Sequence, residues 1–191
     1  MNSSIEEQNR MLGFLALYET PSQDGYLGAV LITDMQGTPQ EFRCTYPVKP
    51  TPIQKSLYGD TLEPHIGVNL CGIPLMESIK SKPLLIIVRR EVLLNVRTAC
   101  PYPIIFIRRA GEVIDIETVD SPKTKLTKER LESSTGKFQP IVFSPHPDFE
   151  DDISSTRKNL EEIFAHLDPL EPFERIQKAI EVLAKQDSKF G

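Results

Sequence analysis

Apolar residues in the first part of the chain come in short runs broken by turns. Residues 12–19 (LGFLALYE) and 26–34 (YLGAVLITD) each read as a strand, with TPSQDG between them as a turn. Gly28 allows a bulge or a close backbone approach in the second of these. After a turn at Gly37, residues 40–48 (QEFRCTYPV) set Phe42, Cys44 and Tyr46 against Glu41, Arg43 and Thr45. That alternation is the pattern of a half-buried strand. Three strands with short turns predict an antiparallel meander.

The pattern changes at Thr51, a good helix N-cap followed by Pro52, which fits the first helical position. Ile53, Leu57, Leu62 and Ile66 fall on one helical face, which predicts a helix over 52–63. Pro64 removes a backbone hydrogen bond and disfavours helix at Glu63, so a bend or break is expected there. A second short helix is expected over 74–80. Residues 84–88 (LLIIV) are uninterruptedly apolar, as in a strand covered on both faces.

Residues 91–97 (EVLLNVR) fit helical spacing slightly better than strand spacing, and 104–107 (IIFI) read as another buried strand. Residues 112–119 (EVIDIETV) alternate as an exposed-face strand. The polar stretch 121–137 holds at most a short helix near 128–131, and 140–143 suit one more short strand. The acidic segment 145–152 (PHPDFEDD) leads into a helix that Ser154 or Ser155 can cap, with Leu160, Ile163, Phe164 and Leu167 as its stripe. A last helix over 172–186 puts Phe173, Ile176, Ile180 and Leu183 on one face. The expected organisation is a mixed α/β domain over 1–143 and a helical hairpin over 144–191, packed on that domain or on a partner.

Composition narrows the function classes. The chain has 191 residues, 39% hydrophobic and 26% charged, which suits one globular domain. A net charge of −5 argues against uniform coating of nucleic acid, although local basic patches remain able to act. The three cysteines, Cys44, Cys71 and Cys100, form no CxxC pair and read as reduced thiols of a cytoplasmic protein. The N-terminal residues lack a signal-peptide pattern, and no apolar run approaches the roughly 20 residues of a spanning helix.

The element order, β-β-β-α-(α)-β-α-β over residues 12–109, resembles the RNase H-like fold: a three-strand meander, then helix, parallel strand, helix, parallel strand. The segments EFRCTYPVKPT and LYGDTLEP are also similar to those of uncharacterised bacterial proteins, a likeness that carries no activity. The fold class expected is therefore α+β or mixed α/β, with the meander continuing into a mixed sheet with crossover helices. Active nucleases of the RNase H-like fold hold two metal ions on carboxylates from the middle of the first strand, the first helix and the fourth strand. Here the first strand has only Glu19 at its end, the helix offers Asp60 and Glu63, and the strand LLIIV has no acid before Glu91. Two of the three positions are apolar, which points to a catalytically empty version. Glu19, Asp60, Glu63 and Glu91, with Mg²⁺ or Mn²⁺, are the catalytic set only under a nuclease reading. Otherwise no cofactor, no metal and no catalytic residue is expected.

Other chemistry is thinly represented. GxSxG, GxxxxGK[ST] and GxGxxG do not occur. His146 among Asp148, Glu150, Asp151 and Asp152 matches no EF-hand or zinc spacing, and the plainer account is an acidic helix entrance. His65 and His166 read as core-edge or surface residues, and Cys100 as an inert thiol. The remaining constellation is Arg89-Arg90 and Arg108-Arg109, each pair at the C-terminal end of an apolar strand, where ligands of open α/β sheets bind. These guanidinium groups suit a phosphate, a nucleic-acid backbone or an acidic surface. The plainer account has them pair with Glu91, Glu112 or Asp115. Lys123, Lys125, Lys128 and Arg130 read as a solvated basic face. The leading expectation is a non-enzymatic accessory subunit of a cytoplasmic, bacterial complex, docking a protein partner through Phe173, Ile176, Ile180 and Leu183. The alternative is an RNase H-like metal-dependent nuclease or nucleic-acid-binding subunit. No membrane role is expected.

Overall fold

Strand β1 (Met11–Glu19) is buried at every position from Leu12 to Leu17, so both of its faces are covered. Leu12, Phe14 and Ala16 join one apolar cluster, and Leu15 and Leu17 join another. β1 thus sits inside a three-layer arrangement, which is why its sequence is a continuous apolar run. The computed structural model describes residues 10–20, 22–112 and 127–190.

β2 (Tyr26–Asp34) pairs antiparallel with β1, and β3 (Pro39–Cys44) pairs antiparallel with β2. β4 (Leu85–Val88) lies parallel to β1 on its other side, with Leu12 opposite Leu85 and Leu15 opposite Val88. β5 (Ile104–Arg109) is parallel to β4. β6 (Glu129–Leu131) and β7 (Ile141–Pro145) complete a seven-stranded mixed sheet of order β3-β2-β1-β4-β5-β7-β6. The expected meander and parallel crossovers are present. Two local expectations change. Where a short helix is expected near 128–131, residues 129–131 are a strand because β7 offers a partner and Leu131 a buried site. The strand expected at 112–119 lies, apart from Glu112, outside the described residues.

The helical connection between β3 and β4 differs from the expected helix, break and helix. Thr51 caps α1 (Pro52–Tyr58) through a reciprocal box: its hydroxyl accepts from Gln54 N–H, and its own N–H donates to Gln54 Oε1 at 2.8 Å. The interruption then falls at Gly59, whose φ of +50° glycine tolerates and other residues rarely adopt. A 3₁₀ turn (Gly59–Thr61) leads to α2 (Leu62–Pro64), a π-helical stretch (His65–Gly72) and α3 (Ile73–Ser78). Pro64 does not break this run because it lies in the first turn, where its missing N–H would have had no helical partner. Nor does the predicted stripe pack as one face: Ile66 is buried, but Ile53 and Leu57 are 71% and 78% exposed. Gly28 serves close approach rather than a bulge, since a Cβ there would lie 2.6 Å from Cys71 Cβ in the π-helical stretch. The irregularity in this pairing lies in β3, where Ile32 faces Glu41 and Thr33 faces Pro39, leaving Gln40 as the extra residue.

A 3₁₀ helix (Glu91–Ala99) between β4 and β5 shares this face of the sheet. The opposite face is covered by α4 (Asp152–Phe164) and α5 (Glu171–Gln186). Phe173 meets Phe14 edge to face at 5.8 Å, and Phe173, Ile176 and Ile180 are buried. Ser154 and Ser155 do not cap α4. Their hydroxyls donate to the carbonyls of Asp151 and Asp152, and Asp151 holds the cap position without a side-chain bond. No helix among the described residues is long and apolar enough to cross a membrane.

Candidate functional site

Parallel pairing of β1, β4 and β5 brings their C-terminal ends to one edge of the sheet. Arg89 and Arg90 follow β4, and Arg108 and Arg109 end β5. Beside Arg89 and Arg90 a cleft of about 420 Å³ opens between the strand ends and α5, with Tyr18, Glu19, Arg89, Arg90, Phe173 and Glu174 among its walls. The Tyr18 hydroxyl donates to the Phe173 carbonyl at 2.7 Å. Burial pushes its pKa up to about 12 against the opposing pull of Arg89, so it stays a donor. This bond ties α5 to β1 at the floor of the cleft.

The four arginines have different environments. Arg89 pairs with Glu112 at 3.0 Å, one of the three acids expected to neutralise these arginines. Arg90 lies 3.0 Å from Glu63 and 3.4 Å from Glu19. Nη1 of Arg90 is withdrawn from solvent and makes no hydrogen bond, so its contact with Glu63 is ionic rather than directional. Arg108 donates to the carbonyls of Glu112 and Arg109 at 2.8 and 3.2 Å. Arg109 pairs with Asp168 in the turn between α4 and α5 and donates to the Gln139 carbonyl at 3.1 Å. Arg109 therefore acts as a tie between sheet and helical layer. Arg130 pairs with the exposed Glu132, Lys128 is exposed, and Lys123 and Lys125 lie outside the described residues, as does Asp115.

Of the four candidate acids, the structure brings two together. Glu19 at the end of β1 and Glu63 in α2 meet at Arg90, and burial followed by the charges of both raises the pKa of neighbouring Tyr26. Asp60 and Glu91 are exposed and outside this contact. The middle of β1 is Phe14, Leu15, Ala16 and Leu17, and β4 carries no acid. Among the described residues no group of three or more His, Cys, Asp or Glu is arranged to hold a metal ion. Among the described residues the donor set of a two-metal nuclease site is thus not reproduced, and a guanidinium stands between the two acids that do converge.

The histidines have structural partners. His146 is buried, and its Nδ1 accepts from Asp148 N–H at 3.1 Å. This fixes the proton on Nε2, which faces Asn95 Oδ1 at 3.3 Å. His166 Nε2 bonds the Met35 carbonyl at 2.7 Å, and His65 stacks on Tyr58. Burial raises the pKa of the Cys100 thiol, which opposes a nucleophilic role. Sequence reasoning missed the α5 wall of the cleft and the Arg109–Asp168 tie. Neither has a local signal, because both depend on where the last two helices dock.

No protein-family model and no curated protein sequence matches the chain. Among solved structures, endonuclease V from Bacillus subtilis superposes with a TM-score of 0.56 at 10% identity, over 93% of this chain and 83% of that one. Looser matches include Ciona intestinalis endonuclease V in complex with an inosine-containing DNA (TM-score 0.44, 13% identity, 78% of this chain and 77% of that one). Marinitoga piezophila Argonaute in complex with a 5′-OH guide RNA matches with a TM-score of 0.38 at 11% identity, over 82% of this chain and 26% of that one. The chain has an RNase H-like fold. The expectation of a non-enzymatic docking subunit is corrected by this likeness, since 93% of this chain shares its fold with an endonuclease V. The feature that motivated it is also accounted for within the chain. Phe173, Ile176 and Ile180 are buried beneath the sheet, and Leu183 is half-buried beside them.

Proposed function

We propose that the protein binds nucleic acid along the C-terminal edge of its sheet, with the phosphodiester backbone held by Arg89, Arg90 and Arg108. One observation carries this reading: parallel strands β4 and β5 deliver both arginine pairs to the same edge, where Arg89 and Arg90 line a cleft of about 420 Å³. Ligands of open α/β sheets enter at the carboxyl ends of the strands. The carboxylates now facing these arginines are no obstacle. Arg89–Glu112 and Arg90–Glu19 are partly exposed pairs, of a kind worth roughly 0–1 kcal/mol, so a phosphate can replace a carboxylate at small cost. A nuclease fold supports a nucleic-acid ligand. The apolar middle of β1 and the acid-free β4 favour binding over two-metal cleavage.

The test is fluorescence anisotropy with labelled single- and double-stranded DNA and RNA oligonucleotides over a salt series. The logarithm of the binding constant should fall linearly with the logarithm of salt concentration, and Arg89→Ala/Arg90→Ala should flatten that slope by about 2. Absence of saturable binding at low salt would sink the proposal. So would unchanged binding by a variant that keeps the wild-type thermal midpoint. Strand cutting in Mg²⁺ or Mn²⁺ that disappears in Glu63→Gln would replace it with the nuclease reading.

A further inference from the structure

The geometry points to Arg90 as the resident cation of the cleft, occupying by its guanidinium the role that a divalent metal fills in nucleases of this fold, so that a backbone phosphate is held there without metal. This deepens the nucleic-acid reading and rests on it for the ligand, though not for the metal.

Three elements that would supply the metal-binding carboxylates still converge: the first strand, the helical segment after the meander, and the fourth strand. Here they bring Glu19, Glu63 and, two residues beyond β4, Arg90. β4 itself carries no acid, and Arg90 after it brings a positive charge to the cluster. The cluster therefore holds two negative charges and one positive charge that already lies between them, at 3.4 and 3.0 Å. A divalent ion entering this space would lose the convergent carboxylates to Arg90 and meet a like charge at contact distance. Glu19 and Glu63 become positioning residues for the guanidinium.

Arg90 is held but not saturated. Its Nη1 is withdrawn from solvent against Glu63, while the side chain as a whole keeps 34% of its surface exposed and lines the cleft, so a phosphate there meets the rest of the guanidinium. A phosphate offers several acceptor oxygens in the geometry a guanidinium fork matches. Arg89 lines the same cleft and supplies a second positive charge. The anion is thus met by two guanidinium groups on a wall that also carries Glu19 and Glu174, with the partly buried Tyr18 hydroxyl committed to the Phe173 carbonyl behind them.

Two measurements on the full chain test the inference and separate its failure from that of the binding reading. Mn²⁺ titration followed by water-proton relaxation or electron paramagnetic resonance should give no saturable site. Wild-type saturation that Glu63→Gln abolishes would overturn the inference, whatever the outcome with nucleic acid. In oligonucleotide anisotropy, affinity in EDTA should equal or exceed that in Mg²⁺, because Mg²⁺ competes for phosphates. Arg90→Gln should weaken binding by about tenfold, and Arg90→Lys should restore part of that loss. A requirement for metal in binding would overturn the inference while leaving the binding reading standing. Absence of any oligonucleotide binding would end the binding reading, and the Mn²⁺ result would then decide alone whether Arg90 holds the cation position.

Discussion

Arg97 and Asp152 form an ion pair at 2.7 Å with only 16% and 9% of their side chains exposed. The pair joins the 3₁₀ helix on one face of the sheet to the start of α4 on the other. Its guanidinium also lies 4.1 Å from the centroid of the Phe149 ring and donates to the Cys100 carbonyl at 3.1 Å. Removing one partner leaves a charge with little access to water. Arg97→Ala should therefore destabilise the fold by about 3–5 kcal/mol, and Arg97→Met/Asp152→Leu by clearly less than the single change. Urea unfolding of both variants checks this; equal losses would mean that the pair contributes through packing alone.

Phe173 should behave as a core residue. Its ring meets Phe14, and its carbonyl accepts from Tyr18. Phe173→Ala should cost about 3–5 kcal/mol, and Phe173→Asp should prevent folding at ordinary temperature. Circular dichroism melts give the answer, and a Phe173→Asp variant melting within a few degrees of wild type would contradict the described packing.

Stability should fall in acid partly through Glu41. Its side chain is largely buried, which would by itself raise its pKa. Hydrogen bonds from Ser81 N–H, Arg43 and Lys80 N–H outweigh that and hold it at about 2, against an ordinary 4.5. Because the folded value is the lower one, this contribution is fully present above pH 4.5 and is lost as pH falls towards 2. Glu41→Gln should be less stable at neutral pH by roughly 1–3 kcal/mol and should show a shallower acid limb. Chemical unfolding at a series of pH values would expose a different outcome, two parallel limbs.

The arginines of the strand edge should separate by role. Arg109 ties β5 to the α4–α5 turn, whereas Arg89 faces the cleft. Arg109→Ala should cost roughly 1–3 kcal/mol of stability and leave oligonucleotide affinity nearly unchanged. Arg89→Ala should do the reverse. Paired melting and anisotropy data decide, and equal loss of affinity in both variants would refute the separation.

How much of this was legible in the sequence depends on the range of the interactions involved. β2 has the expected bounds, 26–34, because its pattern is local and its flanking turns are strong. The buried runs of β4 and β5 were recognisable because strands covered on both faces need little else to mark them. Placing the arginines on one edge followed from parallel pairing alone. The run through Pro64 was not legible, since a periodic pattern does not reveal that Gly59 takes the break upstream of it. Periodicity also failed at α1, where Ile53 and Leu57 have the spacing of a buried stripe but face solvent. β6 required knowledge of β7. The meeting of Glu19 and Glu63 at Arg90 required the positions of three separate elements, and no short motif encodes that.

The layer formed by α4 and α5 also has a consequence for synthesis. During translation β1, β2, β4, β5 and β7 all leave the ribosome before residues 152–190, which cover one side of them. Leu12, Phe14, Ile105 and Phe143 belong to that side. The nascent sheet therefore carries an uncovered apolar face until the final two helices emerge, the kind of surface on which chaperones act and early aggregates grow.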